Sequence, residues 1–311
     1  MGRDNLVFES IGNEVHQTLE TRKHLYKRIQ KALGKPVICY FTSFDYPVMI
    51  EDRDADFIEG ILRVSDLDKG LALICSSPGG LSLTAERIIN ICRAYSGTGT
   101  YDVIVPSKAK SAATVICFGA EKIIMSKTSE LGPIDPQIVL DTSIGTRMSS
   151  LHNIVNSYER LFDEATTCQD INLPPYLQQL ERYDSRDIED FIQAIELSED
   201  IAIKALKTGM MATLDETKIR ENIEPFLSPK ESKDHGRPIL GVDAKKYGFN
   251  VEVVDNRDDG AWSDIYELYL RLNSFVSTGG RAKIIESDKH SFSATISERQ
   301  SDEQSQRQRV F

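Results

Sequence analysis

The sequence lacks any long apolar run, and its acidic residues outnumber its basic ones. No stretch approaches the roughly 20 apolar residues of a membrane-spanning helix, so we expect no membrane span. The N-terminal stretch has no apolar core of the kind found in secretory signals, and we expect a cytoplasmic protein. A formal net charge of −11 argues against nucleic acid as a partner, because phosphate contacts need a basic face.

Cysteine is scarce, and no cofactor motif is present. The five cysteines are widely spaced and mostly set in apolar runs, which predicts reduced, buried thiols rather than a disulfide framework. No cluster has the spacing of a metal site, so we expect no metal. The sequence has neither a pyridoxal-phosphate lysine motif nor the glycine fingerprint of a dinucleotide site, and it predicts no cofactor.

Short apolar runs alternate with amphipathic stretches in the first half of the chain. Strands that alternate with helices predict a parallel sheet in an α/β fold. The second half is dominated by helical patterns, and the last residues are polar with few core-forming side chains. The predicted organisation is a helical arm at 1–35, an α/β domain at 36–285 with a helical insertion at about 147–227, and a disordered tail at 286–311.

Residues 101–126 combine a strand, a turn, a serine, a helix and a second strand. Ser111 opens the helix, and a helix N-terminus favours developing negative charge because its first N–H groups lack intrahelical partners. This position suits a serine nucleophile. It is equally an ordinary position for a serine that caps the helix, and the local pattern leaves both interpretations open.

Two loops could serve such a serine. The turn SSPGG, at 76–80, has consecutive glycines, which allow backbone N–H groups to approach a ligand as an oxyanion hole requires. The loop LGPIDPQ, at 131–137, is stiffened by two prolines. Each loop taken alone is also typical of a purely structural turn.

The combination resembles the serine dehydrogenase proteinase family of the Clp-protease/crotonase superfamily, which is related to the signal-peptide peptidases. The resemblance covers roughly residues 20–286 and depends on six segments in order: SPGG at 77–80, VPSKAKSAAT at 105–114, AEKIIM at 120–125, ELGPIDPQ at 130–137, HGRPI at 235–239 and STGGRAKIIE at 277–286. It implies a Clp-protease/crotonase-like ββα superhelix with an added helical region. It also implies a homo-oligomeric serine peptidase that hydrolyses peptides or unfolded proteins.

The resemblance implies roles for individual residues. Ser111 matches the nucleophile of the family's A-x-S-A-A-T pattern. The oxyanion-hole positions match Gly79, Gly80 and the N–H of Ala112.

The general base is less clear from the sequence. The ELGPIDPQ window has no histidine, and no lysine lies between Lys127 and Lys204, so neither partner familiar in the superfamily is at its usual spacing. We favour His235, with Asp135 as the residue that would orient a histidine, and Arg237 as a substrate or subunit contact. His152 or a lysine is the alternative base. An incomplete triad would also allow activation by a protein partner.

Two other functions fit the same scaffold. A crotonase-like acyl-CoA enzyme would use the oxyanion hole without a nucleophile, but Ser111 and the few basic residues near the glycine turn argue against it. A catalytically silent oligomeric scaffold is the third hypothesis, because the fold alone does not decide function.

Overall fold

A seven-stranded mixed sheet forms the centre of the protein. The computed structural model describes residue 11 and residues 17–142, 145–167, 173–227, 238–255 and 260–296. In spatial order the strands are β10 (Val251–Val254), β5 (Lys122–Ser126), β3 (Asp102–Val105), β2 (Ala72–Ser76), β1 (Val37–Thr42), β11 (Arg281–Glu286) and β12 (Ser291–Thr295). The first five strands run parallel, whereas β11 and β12 are added antiparallel. The predicted α/β fold with a parallel sheet is therefore confirmed, with an antiparallel extension at one side.

Helices cover both faces of this sheet. The helices on one face are α2 (Asp52–Arg63), α3 (Ser82–Tyr95), α4 (Ala112–Phe118), α7 (Ser185–Lys207) and α8 (Glu216–Leu227). The helices on the other face are α1 (Lys23–Leu33) and α10 (Ala261–Val276). Because both faces are covered, every residue of β1, β2 and β3 is buried, which explains their continuous apolar runs.

A small second sheet lies at the end of β2. It consists of β4 (Lys108–Ala109), β6 (Glu130–Leu131) and β9 (Ile239–Leu240), and α9 (Gly241–Lys246) follows directly. An isolated parallel bridge joins Ser77 to Ala109. This bridge places the chain that precedes Ser111 beside the SSPGG turn.

The helical region begins with a hairpin that the sequence patterns do not predict. Strands β7 (Gln137–Thr142) and β8 (Gly145–Ser150) pair antiparallel and lead into α5 (Leu151–Thr167). Helix α6 (Leu173–Leu180) and α7 pack against α5. The N–H of Leu151 donates to the Pro136 carbonyl over 2.9 Å, so the start of α5 is attached to the LGPIDPQ loop.

The first helix packs on the main domain. The guanidinium of Arg22 makes two hydrogen bonds, of 2.7 and 2.5 Å, to the carboxylate of Glu286 on β11. Both side chains are almost fully buried, and the Tyr26 hydroxyl donates to the same carboxylate. A buried ion pair of this kind fixes one geometry, because leaving either charge unpaired costs several kcal/mol.

Regular structure continues beyond residue 286, where the sequence predicts the start of a disordered tail. Residues 291–295, which fall in the tail predicted to be disordered, form β12 and pair with β11. The Phe292 ring stacks on Phe57 with ring centroids 5.2 Å apart, and this contact supplies an apolar anchor for an otherwise polar strand. The rest of the predicted tail, residues 297–311, lies outside the described residues. No helix among those described has the length and apolar character needed to span a bilayer.

Candidate active site

Ser111 lies at the start of α4 in an unusual backbone conformation. Its φ of 50° and ψ of −124° make it the one non-glycine residue with positive φ in the described part of the chain. Although Ser111 occupies the N-cap position, its hydroxyl makes no capping hydrogen bond. Backbone strain of this kind costs about 1–3 kcal/mol and is concentrated at functional sites. The hydroxyl is thus not used to stabilise the helix, which argues against the interpretation of Ser111 as an ordinary cap.

Helix α4 is held by a buried threonine one turn beyond Ser111. The Thr114 hydroxyl oxygen lies 2.8 Å from the Ala109 carbonyl and 3.0 Å from the Gly132 carbonyl. It also accepts a hydrogen bond of 3.2 Å from the Gly132 N–H. Every residue of α4 is buried. Thr114 therefore connects the serine-bearing helix to the LGPIDPQ loop.

The glycine turn lies directly against Ser111. A Cβ built on Gly79 would be 2.6 Å from the Ser111 Cβ and 2.7 Å from the Lys110 carbonyl oxygen. The φ of Gly79 is 111°, a conformation that favours glycine. Ser111 itself is half-buried rather than sealed in the core. The two segments that the sequence analysis assigns to one site are therefore in contact.

The N–H groups of the turn differ in their partners. The Gly79 N–H donates to the Ser77 hydroxyl oxygen over 3.1 Å, and that oxygen also lies 2.7 Å from the Thr42 hydroxyl. The N–H groups of Gly80 and Ala112, by contrast, have no acceptor among the described residues. Gly79 supplies the close approach to Ser111, whereas Gly80 and Ala112 carry the N–H groups that are available to a ligand.

The lysines that flank Ser111 are engaged elsewhere. The Lys110 ammonium lies 2.9 Å from a Glu130 carboxylate oxygen and donates to the Leu131 carbonyl over 3.2 Å. The Lys108 ammonium lies 5.8 Å from the centroid of the Phe44 ring. Neither contact directs an amine towards the Ser111 hydroxyl.

Asp135, on the loop that follows β6, lies near His152 on α5. The Asp135 carboxylate is buried, and one of its oxygens lies 3.9 Å from Nε2 of His152, the second residue of α5. This distance is within ion-pair range but is longer than a hydrogen bond. The imidazole side chain is 24% exposed. His235 and Arg237 lie in residues 228–237, outside the described residues.

The four thiols in the described part of the chain do not offer an alternative nucleophile. Cys39, Cys75, Cys92 and Cys117 are free and buried, as the sequence predicts, while Cys168 lies outside the described residues. Burial raises the pKa of Cys75 and of Cys92 to about 12. Thiols with such pKa values stay protonated at neutral pH, and the protonated form is a poor nucleophile. The described residues also contain no group of three potential metal ligands.

One element of the site has no signature in the sequence. The backbone of Ile50 borders the glycine turn: its N–H donates to the Gly79 carbonyl over 2.7 Å, and its carbonyl accepts from the Leu81 N–H over 3.0 Å. A Cβ on Gly80 would be 2.3 Å from the Ile50 nitrogen. Because the contact is made by main-chain atoms, no residue type at position 50 reveals it. Only the second glycine of the turn hints at a close backbone approach.

Comparison with known proteins finds a family model that matches part of the first half of the chain. Residues 15–159 match the family model described as ClpP-like SDH-type serine proteinase. Two uncharacterized proteins of Methanocaldococcus jannaschii are similar in sequence. One is 34% identical over 132 residues, which is 42% of this chain and 42% of that protein. The other is 36% identical over 106 residues, or 34% of this chain and 32% of that protein. The chain therefore spans less than half the length of these curated relatives.

Two solved structures of the 1510-N membrane-bound stomatin-specific protease are also similar. A serine-to-alanine mutant is 16% identical, with a TM-score of 0.39, over 75% of this chain and 82% of that chain. A lysine-to-alanine mutant in complex with a substrate peptide is 18% identical, with a TM-score of 0.27, over 72% and 93%. The match of residues 15–159 to the ClpP-like SDH-type serine proteinase model confirms the resemblance, and together with the α/β architecture it confirms the fold class.

Proposed function

We propose that this protein is a serine peptidase that cleaves peptide bonds through an acyl-enzyme on Ser111. The observation that carries the proposal is the contact between Ser111 and Gly79, at a serine whose hydroxyl makes no capping bond. The match of residues 15–159 to the ClpP-like SDH-type serine proteinase model supports the same chemistry. The acyl-CoA alternative would leave the Ser111 hydroxyl without a role.

In the proposed mechanism the Ser111 oxygen attacks the peptide carbonyl carbon, and its proton passes to a general base. The carbonyl oxygen becomes an oxyanion, which the N–H groups of Gly80 and Ala112 stabilise at the N-terminus of α4. The base then returns the proton to the leaving amine, and the C–N bond breaks to give the acyl-enzyme. Water releases the acyl group by the reverse proton path. Each oxyanion donor of this kind contributes about 3 kcal/mol to transition-state stabilisation.

For the general base we propose His152, oriented by Asp135. The buried Asp135 carboxylate lies 3.9 Å from the His152 imidazole, and this distance supports the pair. A small movement of either side chain would bring the two groups to hydrogen-bond distance. The prediction of His235 is the competing assignment, and Arg237 is its neighbour as a proposed substrate contact. Separate His152→Ala and His235→Ala variants decide the question. The base is the histidine whose loss lowers kcat by about 100-fold or more while Ser111 remains intact.

A fluorophosphonate probe tests the nucleophile directly. The serine oxygen would form a bond to phosphorus as fluoride leaves, and peptide mass spectrometry would locate the adduct. We expect labelling at Ser111 and none in Ser111→Ala. Coenzyme A binding without labelling would indicate the acyl-CoA enzyme, and a protein that does neither would be a scaffold.

We also propose that the peptidase works as a homo-oligomer on peptides or unfolded proteins. Support comes from large apolar side chains that are exposed on the β7–β8 hairpin and on α5, α6 and α7. They are Val139, Met148, Phe162, Leu173, Leu177 and Leu197. Large apolar side chains that are exposed in number favour an interaction site. Light scattering of the wild type and of a Met148→Glu, Phe162→Glu variant tests this, because the charges should dissociate the assembly. An activating protein partner would be evident as peptidase activity that rises on its addition.

A further inference from the structure

A buried charged cluster lies between β11 and α2, behind the glycine turn. The Lys283 ammonium is 3.0 and 3.2 Å from the two oxygens of buried Asp54, and it is 2.6 Å from a carboxylate oxygen of Glu51, whose side chain is exposed. The Tyr40 hydroxyl donates to Asp54 over 2.7 Å. Lys283 and Asp54 are 5% and 3% exposed. Burying such charges is often no more stabilising than an apolar pair, so this cluster is better explained by the geometry that it imposes than by stability.

The cluster is connected to the glycine turn through one peptide unit. Asp54 accepts a hydrogen bond of 3.0 Å from the Glu51 N–H. The carbonyl of that same peptide unit belongs to Ile50 and accepts from the Leu81 N–H over 3.0 Å. The Ile50–Glu51 peptide is therefore held on one edge by the buried carboxylate and on the other edge by the residue that follows the glycines.

Ile50 then fixes the direction of the Gly79–Gly80 peptide. Its N–H donates to the Gly79 carbonyl over 2.7 Å. In a planar trans peptide the carbonyl and the N–H point in opposite directions. Holding the Gly79 carbonyl towards Ile50 consequently turns the Gly80 N–H to the opposite edge, away from Ile50. This N–H is one of the two donors assigned to the oxyanion in the proposed function.

We propose that Lys283 and Asp54 are positioning residues for the oxyanion hole. They act through Ile50 on the Gly80 N–H and touch neither the substrate nor Ser111. This inference rests on the proposed peptidase function for its catalytic consequence, while its conformational part can be measured without any activity. A purely structural cluster would instead lower stability and leave the turn and the chemical step unchanged.

The Arg22–Glu286 pair provides a matched control. It is also buried and also uses β11, but it faces the opposite side of the sheet and contacts α1 rather than the turn. Arg22→Met therefore removes a buried cation that pairs with the same strand, without touching Ile50. The comparison separates loss of stability from loss of positioning.

The test uses the full chain with Lys283→Met, Lys283→Arg, Asp54→Asn and Arg22→Met. For Lys283→Met and Asp54→Asn we expect kcat to fall by about tenfold or more while KM stays within about twofold, because the donor acts mainly in the transition state. Lys283→Arg should keep most of the wild-type kcat, since a guanidinium can also donate hydrogen bonds to these carboxylates. Arg22→Met should lower the midpoint of urea unfolding but keep kcat within about twofold of the wild type.

Amide hydrogen exchange of a peptide that covers residues 77–81 gives the second readout. We expect faster exchange in Lys283→Met and Asp54→Asn than in the wild type, and no change in Arg22→Met. If Lys283→Met does not fold, the milder Asp54→Asn carries the test. Unchanged exchange and unchanged kcat in the cluster variants would overturn the inference. Faster exchange in the cluster variants, together with a wild type that a fluorophosphonate does not label, would support the positioning role and reject the peptidase.

Discussion

The contact between Gly79 and Ser111 makes one substitution especially informative. In Gly79→Ala the new Cβ would lie 2.6 Å from the Ser111 Cβ, whereas carbon atoms in contact are normally about 3.5–4.0 Å apart. The turn and the serine must therefore separate by about 1 Å, and a displacement of that size costs about 100-fold in rate. We expect kcat to fall by at least about that factor.

The same substitution has a predictable cost in stability. Backbone strain at a φ of 111° contributes about 1–3 kcal/mol, and overpacking adds about 1–3 kcal/mol, to the loss in free energy of unfolding. Gly34→Ala is the matched control. Gly34 also has positive φ, 71°, but its Cβ would meet nothing within 4 Å. That variant should lose about 1–2 kcal/mol and keep full activity.

Peptide hydrolysis and urea unfolding of both variants provide the assay. The decisive quantity is kcat measured at temperatures where each variant is fully folded. A Gly79→Ala protein with wild-type kcat would refute the assignment of the glycine turn to the active site. Equal losses of kcat in the two glycine variants would show that activity reflects general stability instead.

Three further predictions concern buried groups. Thr114→Val should lower the free energy of unfolding by about 1–3 kcal/mol, because the N–H that Thr114 accepts loses its partner; an unchanged urea midpoint would contradict this. Arg22→Met should cost about 3–5 kcal/mol by leaving the Glu286 carboxylate buried and unpaired, and the double variant Arg22→Met, Glu286→Leu should recover most of that loss. The thiols of Cys75 and Cys92 ionise near a pKa of 9 when unfolded and only near about 12 when folded, because burial disfavours the thiolate. The unfolded state therefore binds fewer protons above pH 9, and the free energy of unfolding should fall by about 1 kcal/mol per pH unit and thiol between pH 9 and pH 12. A double cysteine-to-alanine variant should lose this part of the slope.

The sequence predicts those parts of the fold that depend on side-chain pattern. The strands of the parallel sheet are found where continuous apolar runs occur, since both faces of the sheet are covered by helices. The β7–β8 hairpin is missed because its residues mix polar and apolar types without strict alternation. Strand β12 is missed because each of its residues is exposed, so its sequence shows no buried apolar pattern. Phe292, which stacks on Phe57, is the one large apolar residue of the strand.

In the candidate site, too, the sequence predicts only the features that require a particular residue type. Ser111 and the paired glycines are recognisable because a particular residue type is required: a hydroxyl, or a backbone without a Cβ. The His152–Asp135 contact joins two segments whose proximity depends on where α5 begins, which periodicity does not fix. The contribution of Ile50 is made by main-chain atoms, which leave no signature in the sequence. The role of Lys283 depends on contacts with residues far away in the sequence, such as Glu51, which is 232 positions earlier.

The glycine turn is supported by backbone atoms of Ile50, so its shape does not depend on the neighbouring side chains. Ile50 holds the turn through its backbone N–H and carbonyl. Met49, which precedes Ile50, and Leu81, which follows Gly80, are exposed to solvent at 54% and 51%. Side chains at these two positions can therefore be exchanged without moving the groups that face Ser111. If the proposed peptidase function holds, variation at these two positions offers a route to new substrate preferences while the groups around Ser111 stay unchanged.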